Sequence, residues 1–339
     1  MVAQIVHHTP YPIHPSVKDR LHPDYVAFYN KYLINQQPAH LQPIAVSRRG
    51  GSVVVCNSDP LPVGKSEDIC IPRQESAGPE VSIRYFTPQG DPPGSGWPAV
   101  LYVHGGGWVF GDIDTENNVC TNMTVRSKCV VITTDYRLAP ENPWPAAIHD
   151  TWEAFLWTVS QGAKLLNLDL GKMAVAGASA GANIAAVIVQ NATLRPQPGV
   201  SICSQLLVVP ITDNTANTYS NPTWKAFEFT AGLSAKKMLW YRQHYLPCQA
   251  NWTHREASPL LASDEVFSRL PPANIIVGEL DVLRHDGEEY ARKLEANGVS
   301  AVVTVMEGMP HPFLAMDAVL DAGKRAITIM CEDLVRAFA

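Results

Sequence analysis

The sequence predicts an α/β protein, built on a mostly parallel sheet with helices on both faces. Three observations carry that expectation. From residue 98 onward, short apolar runs alternate with helical patterns, the signature of strands buried on both faces. Two glycine-rich motifs stand where such runs end. The chain has 339 residues, enough for one large α/β domain with an added lobe.

The elements follow in order. Residues 22–35 predict a helix, with Tyr25, Phe28, Tyr29 and Tyr32 at helical spacing on one face. Residues 52–56, 67–72 and 81–88 read as strands. The last alternates Val81, Ile83 and Tyr85 with polar neighbours, as a half-buried strand does. The Pro/Gly/Asp-rich stretch 89–96 is a surface turn. Apolar runs at 98–103, 129–134, 173–176, 201–209 and 274–277 predict buried strands, and 301–306 a further one. Helices are expected over 145–161, 180–191, 286–297 and 316–338. Residues 213–262 interrupt this rhythm with Trp224, Phe227, Phe229, Trp240, Tyr241, Tyr245 and Trp252. An insertion so aromatic is either a lid packed on the core or the lining of an apolar site.

Composition excludes several functional classes. Hydrophobic residues make up 46% and charged residues 17%, which is globular rather than disordered. The net charge of −6 speaks against a nucleic-acid binder or a polybasic membrane-surface protein. No apolar run approaches the roughly 20 residues of a membrane span. The first ten residues lack a cationic region and an apolar region, so no signal peptide is expected and the expected location is cytoplasmic. Seven scattered cysteines without paired spacing suggest reduced thiols rather than zinc ligands, and no metal site is expected.

The chemistry lies at the strand ends. Gly177-Ala178-Ser179-Ala180-Gly181 is a G-x-S-x-G motif between an apolar strand and a helix. So tight a turn brings the positions on either side of the serine against neighbouring backbone, which calls for glycine at both. The serine is then held above the sheet at a helix N-terminus, whose dipole favours developing negative charge. His104-Gly105-Gly106-Gly107 stands at an earlier strand end, where glycines can turn N–H groups outward toward an oxyanion. A phosphate-binding loop is the competing reading, but neither G-x-G-x-x-G nor the P-loop pattern is present.

A nucleophilic serine needs a base, and the base an orienting acid; in this architecture they follow in the order Ser, Asp or Glu, His. His311 sits just past the last strand in a proline-bounded loop and is the candidate base. His285, at the start of a helix, is the weaker alternative. Asp281 follows the 274–277 strand and is the candidate acid, with Glu279 and Asp286 as rivals. Asp135, Arg137 and Asp150 read as loop-fixing residues.

The sequence resembles the hormone-sensitive-lipase family of carboxylesterases. The matching pieces are His104–Trp108, Asp135–Glu141, Gly177–Gly181, Ala257–Leu260, Gly278–Leu283 and His311–Phe313, in the family's order across roughly residues 80–339. The resemblance implies an α/β-hydrolase fold with about eight strands. It implies a helical cap from residues 1–50 and the insertion 213–255, over a catalytic domain of residues 51–212 and 256–339. Ser179 would be the nucleophile, His311 the base and Asp281 the acid, with oxyanion donors at Gly105, Gly106 and Ala180. Trp108, Phe110, Trp224 and Phe227 are the candidate substrate-contacting side chains, although the same aromatics read equally well as cap core. Two positions depart from the family: Ala178 where it usually has Asp, and Pro312 where it has Gly.

The expected function is therefore cleavage of small carboxylic esters, of short to medium acyl chain or aryl type, through an acyl-enzyme and without a cofactor. A deacetylase, amidase or acyltransferase would use the same triad. A ligand-binding receptor on this fold is disfavoured by the presence of His311. No nucleic-acid partner and no membrane anchor are expected; a homodimer is compatible with the family.

Overall fold

The computed structural model describes residues 10–51 and 56–339. Eight strands form one sheet in the order β1-β2-β4-β3-β5-β6-β7-β8. They are β1 (Lys65–Ile71), β2 (Val81–Thr87), β3 (Trp97–Val103), β4 (Val130–Asp135), β5 (Leu168–Ala178), β6 (Ile202–Val208), β7 (Ala273–Gly278) and β8 (Ala301–Met306). β2 runs antiparallel to β1 and β4; every other pairing is parallel. The central strands are apolar and buried on both faces, as parallel strands between helical layers must be. β1 is an edge, and it carries Lys65, Glu67 and Asp68, charges that discourage further strand pairing.

The main helices are α1 (Pro23–Phe28), α2 (Asn117–Ser127), α3 (Ala146–Trp157), α4 (Ala180–Leu194), α5 (Ala235–Tyr245), α6 (Arg284–Ala296) and α7 (Asp321–Ala337). α2 and α7 pack together on one side of the sheet, while α3 and α4 pack together on the other. α4 follows the central strand directly, and its small side chains let it lie close to β5 and β6.

Three expectations need correction. The helix expected over 22–35 narrows to α1 and then continues as a wider turn at Tyr29–Leu33; Tyr25 and Phe28 are buried, but Tyr32 faces solvent. The helix expected over 316–338 starts only at Asp321, after a tight turn at His311–Met316. The reason is Asp317, whose buried carboxylate accepts from the Ser58 N–H (3.0 Å) and from Asn118 Nδ2 (2.9 Å) and so draws the chain off the helical path. Of the strand expected over 52–56, residues 52–55 lie outside the described residues. Cys56 belongs to no strand; its backbone bonds instead to Ala315 and Ala318.

The chain between β6 and β7 contains the aromatic insertion, and α5 lies within it. The amino-terminal residues pack against this insertion, with the turn Ala39–Leu41 against α5. Arg48 ties the same segment down by donating to the carbonyls of Val109 (3.0 Å) and Ala139 (2.7 Å) and to Glu141. Among the described residues, no helix is long and apolar enough to cross a membrane.

Candidate active site

The site is assembled where β5, β7 and β8 end. Ser179 stands between β5 and α4 with φ 53° and ψ −118°, a conformation costly for any residue with a side chain. The local geometry explains the two glycines. A Cβ at Gly177 would lie 2.5 Å from the Gly181 carbonyl oxygen, and one at Gly181 would run into the Val103 carbonyl. The Ser179 N–H donates to the Val208 carbonyl (2.8 Å), which fastens the turn to β6.

His311 reaches this serine from the loop after β8. Its Nε2 lies 2.8 Å from Ser179 Oγ, and its Nδ1 lies 2.7 Å from Asp281 Oδ2. A carboxylate can only accept, so Nδ1 carries the proton and Nε2 is left to accept from the serine hydroxyl. Asp281 is fully buried, and its other oxygen accepts from the Leu283 N–H (3.0 Å). The rival groups are occupied elsewhere. Glu279 accepts from the Gly308 N–H (2.8 Å) and faces Arg20 at 3.7 Å. Asp286 accepts from the N–H groups of Thr212 (3.1 Å) and Asp213 (3.2 Å), and the ring bonded to Ser179 is that of His311 rather than His285. Asp150 binds Arg73 and Arg137.

The loop that carries His311 is held from several sides. His22 donates its N–H to the Gly308 carbonyl (2.9 Å), and Leu280 donates to Met309 (3.0 Å). Pro312 presses on Gly232, where a Cβ would lie 2.7 Å from the proline ring; Gly232 also has φ 82°. The proline that departs from the family pattern thus sits against a position with no side chain.

The His104–Gly107 loop is fixed by its own histidine. His104 is buried, donates Nδ1 to the Gly105 carbonyl (2.7 Å) and stacks on Tyr136 at 4.3 Å. Burial pushes its pKa down to about 4, so the ring is neutral. The expected oxyanion donor Gly105 is corrected by the structure: its N–H donates to Glu116 Oε2 (3.2 Å) and is engaged. The N–H groups of Gly106, Gly107 and Ala180 have no hydrogen-bond partner among the described residues. Gly106 and Gly107 adopt φ 122° and 61° and line the same cavity as Ser179.

That cavity is about 180 Å³ and is walled by Phe110, Leu233, Met238, Tyr241 and Leu314. Of the four expected substrate-contacting residues, only Phe110 lines it. Trp108 is buried and stacks on Tyr245 at 4.3 Å; Trp224 is buried beneath the Arg242 guanidinium, and Phe227 beneath that of Arg20. All three are packing anchors. Met238 and Tyr241, on one face of α5, take the lining role. Their i, i+3 spacing is the signal that could have found them.

Sequence reasoning also missed Glu116. This buried residue accepts from Tyr102 Oη (2.7 Å) as well as from Gly105, beside the cavity. Burial pushes its carboxyl up to about 7, against the lowering effect of those two donors and of His311. Below its ordinary value of 4.5, native and unfolded chains both hold the proton. Between there and about 7 only the native chain holds it, so stability falls as pH rises through that window. Glu116→Gln keeps both hydrogen bonds and removes the titration. Its melting temperature is expected to fall less than that of the wild type between about pH 5 and pH 8, by a few degrees. Part of the decline persists, since burial and Asp213 push Asp286 up to about 8. An identical decline in both proteins would exclude Glu116 as its source.

Sheet order, serine turn and histidine relay together define an α/β hydrolase. A model of the α/β-hydrolase-fold family matches residues 100–315, and the chain belongs to this family, in the hormone-sensitive-lipase type expected from its motifs. It is similar over its whole length, at 44% identity and with both chains fully covered, to an AB hydrolase superfamily protein of Schizosaccharomyces pombe. It is 37% identical to esterase LipI of Mycobacterium tuberculosis over 74% of this chain and 76% of that one. Among solved structures it resembles a thermostable esterase from Pseudomonas putida, with a TM-score of 0.82 and 28% identity over 94% of this chain and 98% of that one.

Proposed function

We propose that the protein hydrolyses carboxylic esters of small molecules through an acyl-enzyme on Ser179. The observation that carries this reading is the unbroken relay from Ser179 Oγ through His311 to the buried Asp281. His311 Nε2 takes the serine proton as Oγ attacks the ester carbonyl. The oxyanion forms next to the amides of Gly106, Gly107 and Ala180, which are already oriented and give up no protein hydrogen bond in donating to it. His311 then protonates the leaving alcohol, and water repeats the sequence on the acyl-enzyme. Residues 213–255 and the amino-terminal segment act as a cap, since Leu233, Met238 and Tyr241 supply the apolar wall facing Ser179. Seven unpaired cysteines support a reducing, cytoplasmic setting.

The cavity is small and apolar, so short to medium acyl chains fit it best. Initial rates on p-nitrophenyl esters from acetate to decanoate are expected to peak at short or medium length and to fall toward decanoate. No turnover of any member by the folded protein would overturn hydrolysis of simple esters, and would favour amide, acetyl-group or acyl-transfer chemistry on the same residues.

A further inference from the structure

We propose that the ester carries a carboxylate in its acyl or alcohol part, and that Lys237 holds this group. The inference rests on the esterase reading above and specifies its substrate class. Lys237 lies in the first turn of α5, on the wall of the Ser179 cavity. Its ammonium donates to the Gly232 carbonyl (2.9 Å) and lies 6.0 Å from the centre of the Tyr241 ring. No carboxylate among the described residues forms an ion pair with it. A half-buried cation without a counter-ion is unfavourable, and the positive end of the α5 dipole adds to that cost. Burial accordingly pushes its pKa down to about 8, still leaving the ammonium charged at neutral pH.

A second cavity, of about 310 Å³, also has this lysine in its wall. Gly232 and Lys237 belong to the walls of both cavities. The second is lined by Tyr29, Gln36, His40 and Ser234 among others. His40 Nδ1 and Gln36 Oε1 are buried there without a partner among the described residues. Burial and the charges of Lys237 and Lys236 push His40 down to about 4, so its ring is neutral and offers one N–H donor. Ser234 Oγ accepts from the Lys237 N–H, which leaves its own hydrogen available. One cation with neutral donors beside it, at the junction of a reaction cavity and a side chamber, suits a carboxylate attached to the substrate.

The test compares matched esters in the full-length protein. One pair places the charge on the acyl part: 4-nitrophenyl hydrogen glutarate against 4-nitrophenyl pentanoate. The other places it on the alcohol: 4-carboxyphenyl acetate against 4-methylphenyl acetate. In Lys237→Met, the ratio of kcat/KM for the anionic over the neutral ester is expected to fall roughly 10- to 100-fold relative to wild type in one pair. The pair that responds shows on which side of the ester the charge sits. Lys237→Gln serves as a second variant and should lower the same ratio. Equal ratios in wild type and both variants would overturn the proposal. Free glutarate gives a readout without turnover: it should raise the melting temperature of the wild type and not that of Lys237→Met. If neither the neutral nor the anionic esters are hydrolysed by the wild type, the esterase reading fails by itself. The glutarate experiment then still decides whether Lys237 is an anion site.

Discussion

Ser179→Ala is expected to lower kcat on p-nitrophenyl esters by on the order of a million-fold, or about 8 kcal/mol of transition-state stabilisation. The substitution removes one oxygen and little else. Glycines at 177 and 181 set the turn, and the backbone bond from residue 179 to Val208 remains, so the fold should be unchanged. His311 keeps its bond to Asp281 but has no hydroxyl to deprotonate. The amides of Gly106, Gly107 and Ala180 also remain, so a residual acceleration over water of roughly a thousandfold or more should persist. Initial rates with purified variant and wild type, beside matched circular-dichroism spectra, make the comparison. Near wild-type turnover in the alanine variant would remove Ser179 from the chemistry.

Asp281→Asn is expected to cost about ten-thousand-fold in kcat, with binding of substrate little altered. The size of the loss depends on which way the new amide must point. One oxygen of Asp281 already accepts from the Leu283 N–H in a fully buried site. An asparagine satisfies that donor only with its carbonyl oxygen, so its NH2 group is turned toward His311. A donor facing Nδ1 selects the tautomer with the proton on Nε2. The ring then presents a hydrogen to Ser179 where it should present a lone pair. Glu279→Gln provides the contrast, because Glu279 braces the Gly308 amide and has no bond to His311. A comparable loss in that variant, with Asp281→Asn nearly normal, would reassign the orienting role.

The parts of this protein that were legible in its sequence are those governed by local constraint. Parallel strands announce themselves as apolar runs. A strand-to-helix turn around Ser179 leaves no room for side chains at 177 and 181, and a histidine after the last strand has few other places to project. The less legible parts depend on contacts between distant segments. Trp108 and Phe110 stand two residues apart in the same loop, yet one is packed under the insertion and the other faces the cavity. Nothing in their spacing separates them. The engagement of the Gly105 amide could not be read either, because its partner Glu116 lies beyond the loop in a left-handed conformation (φ 64°) that presents the carboxyl inward. The late start of α7 was hidden for the same reason. Helical periodicity continues through residues 316–320, but Asp317 is claimed by Ser58 and Asn118, from elements far away in sequence.

The contact between Pro312 and Gly232 reaches beyond the folded molecule to its ancestry. A proline ring beside His311 is admissible only while position 232 bears no side chain, since even a methyl group there would meet the ring at 2.7 Å. The two positions therefore cannot drift independently. A lineage that holds glycine at 232 is free to exchange residue 312, whereas one that first gains a side chain at 232 has closed off the proline. A side chain at 232 is thus opposed twice, by the left-handed backbone there (φ 82°) and by the proline ring next to His311.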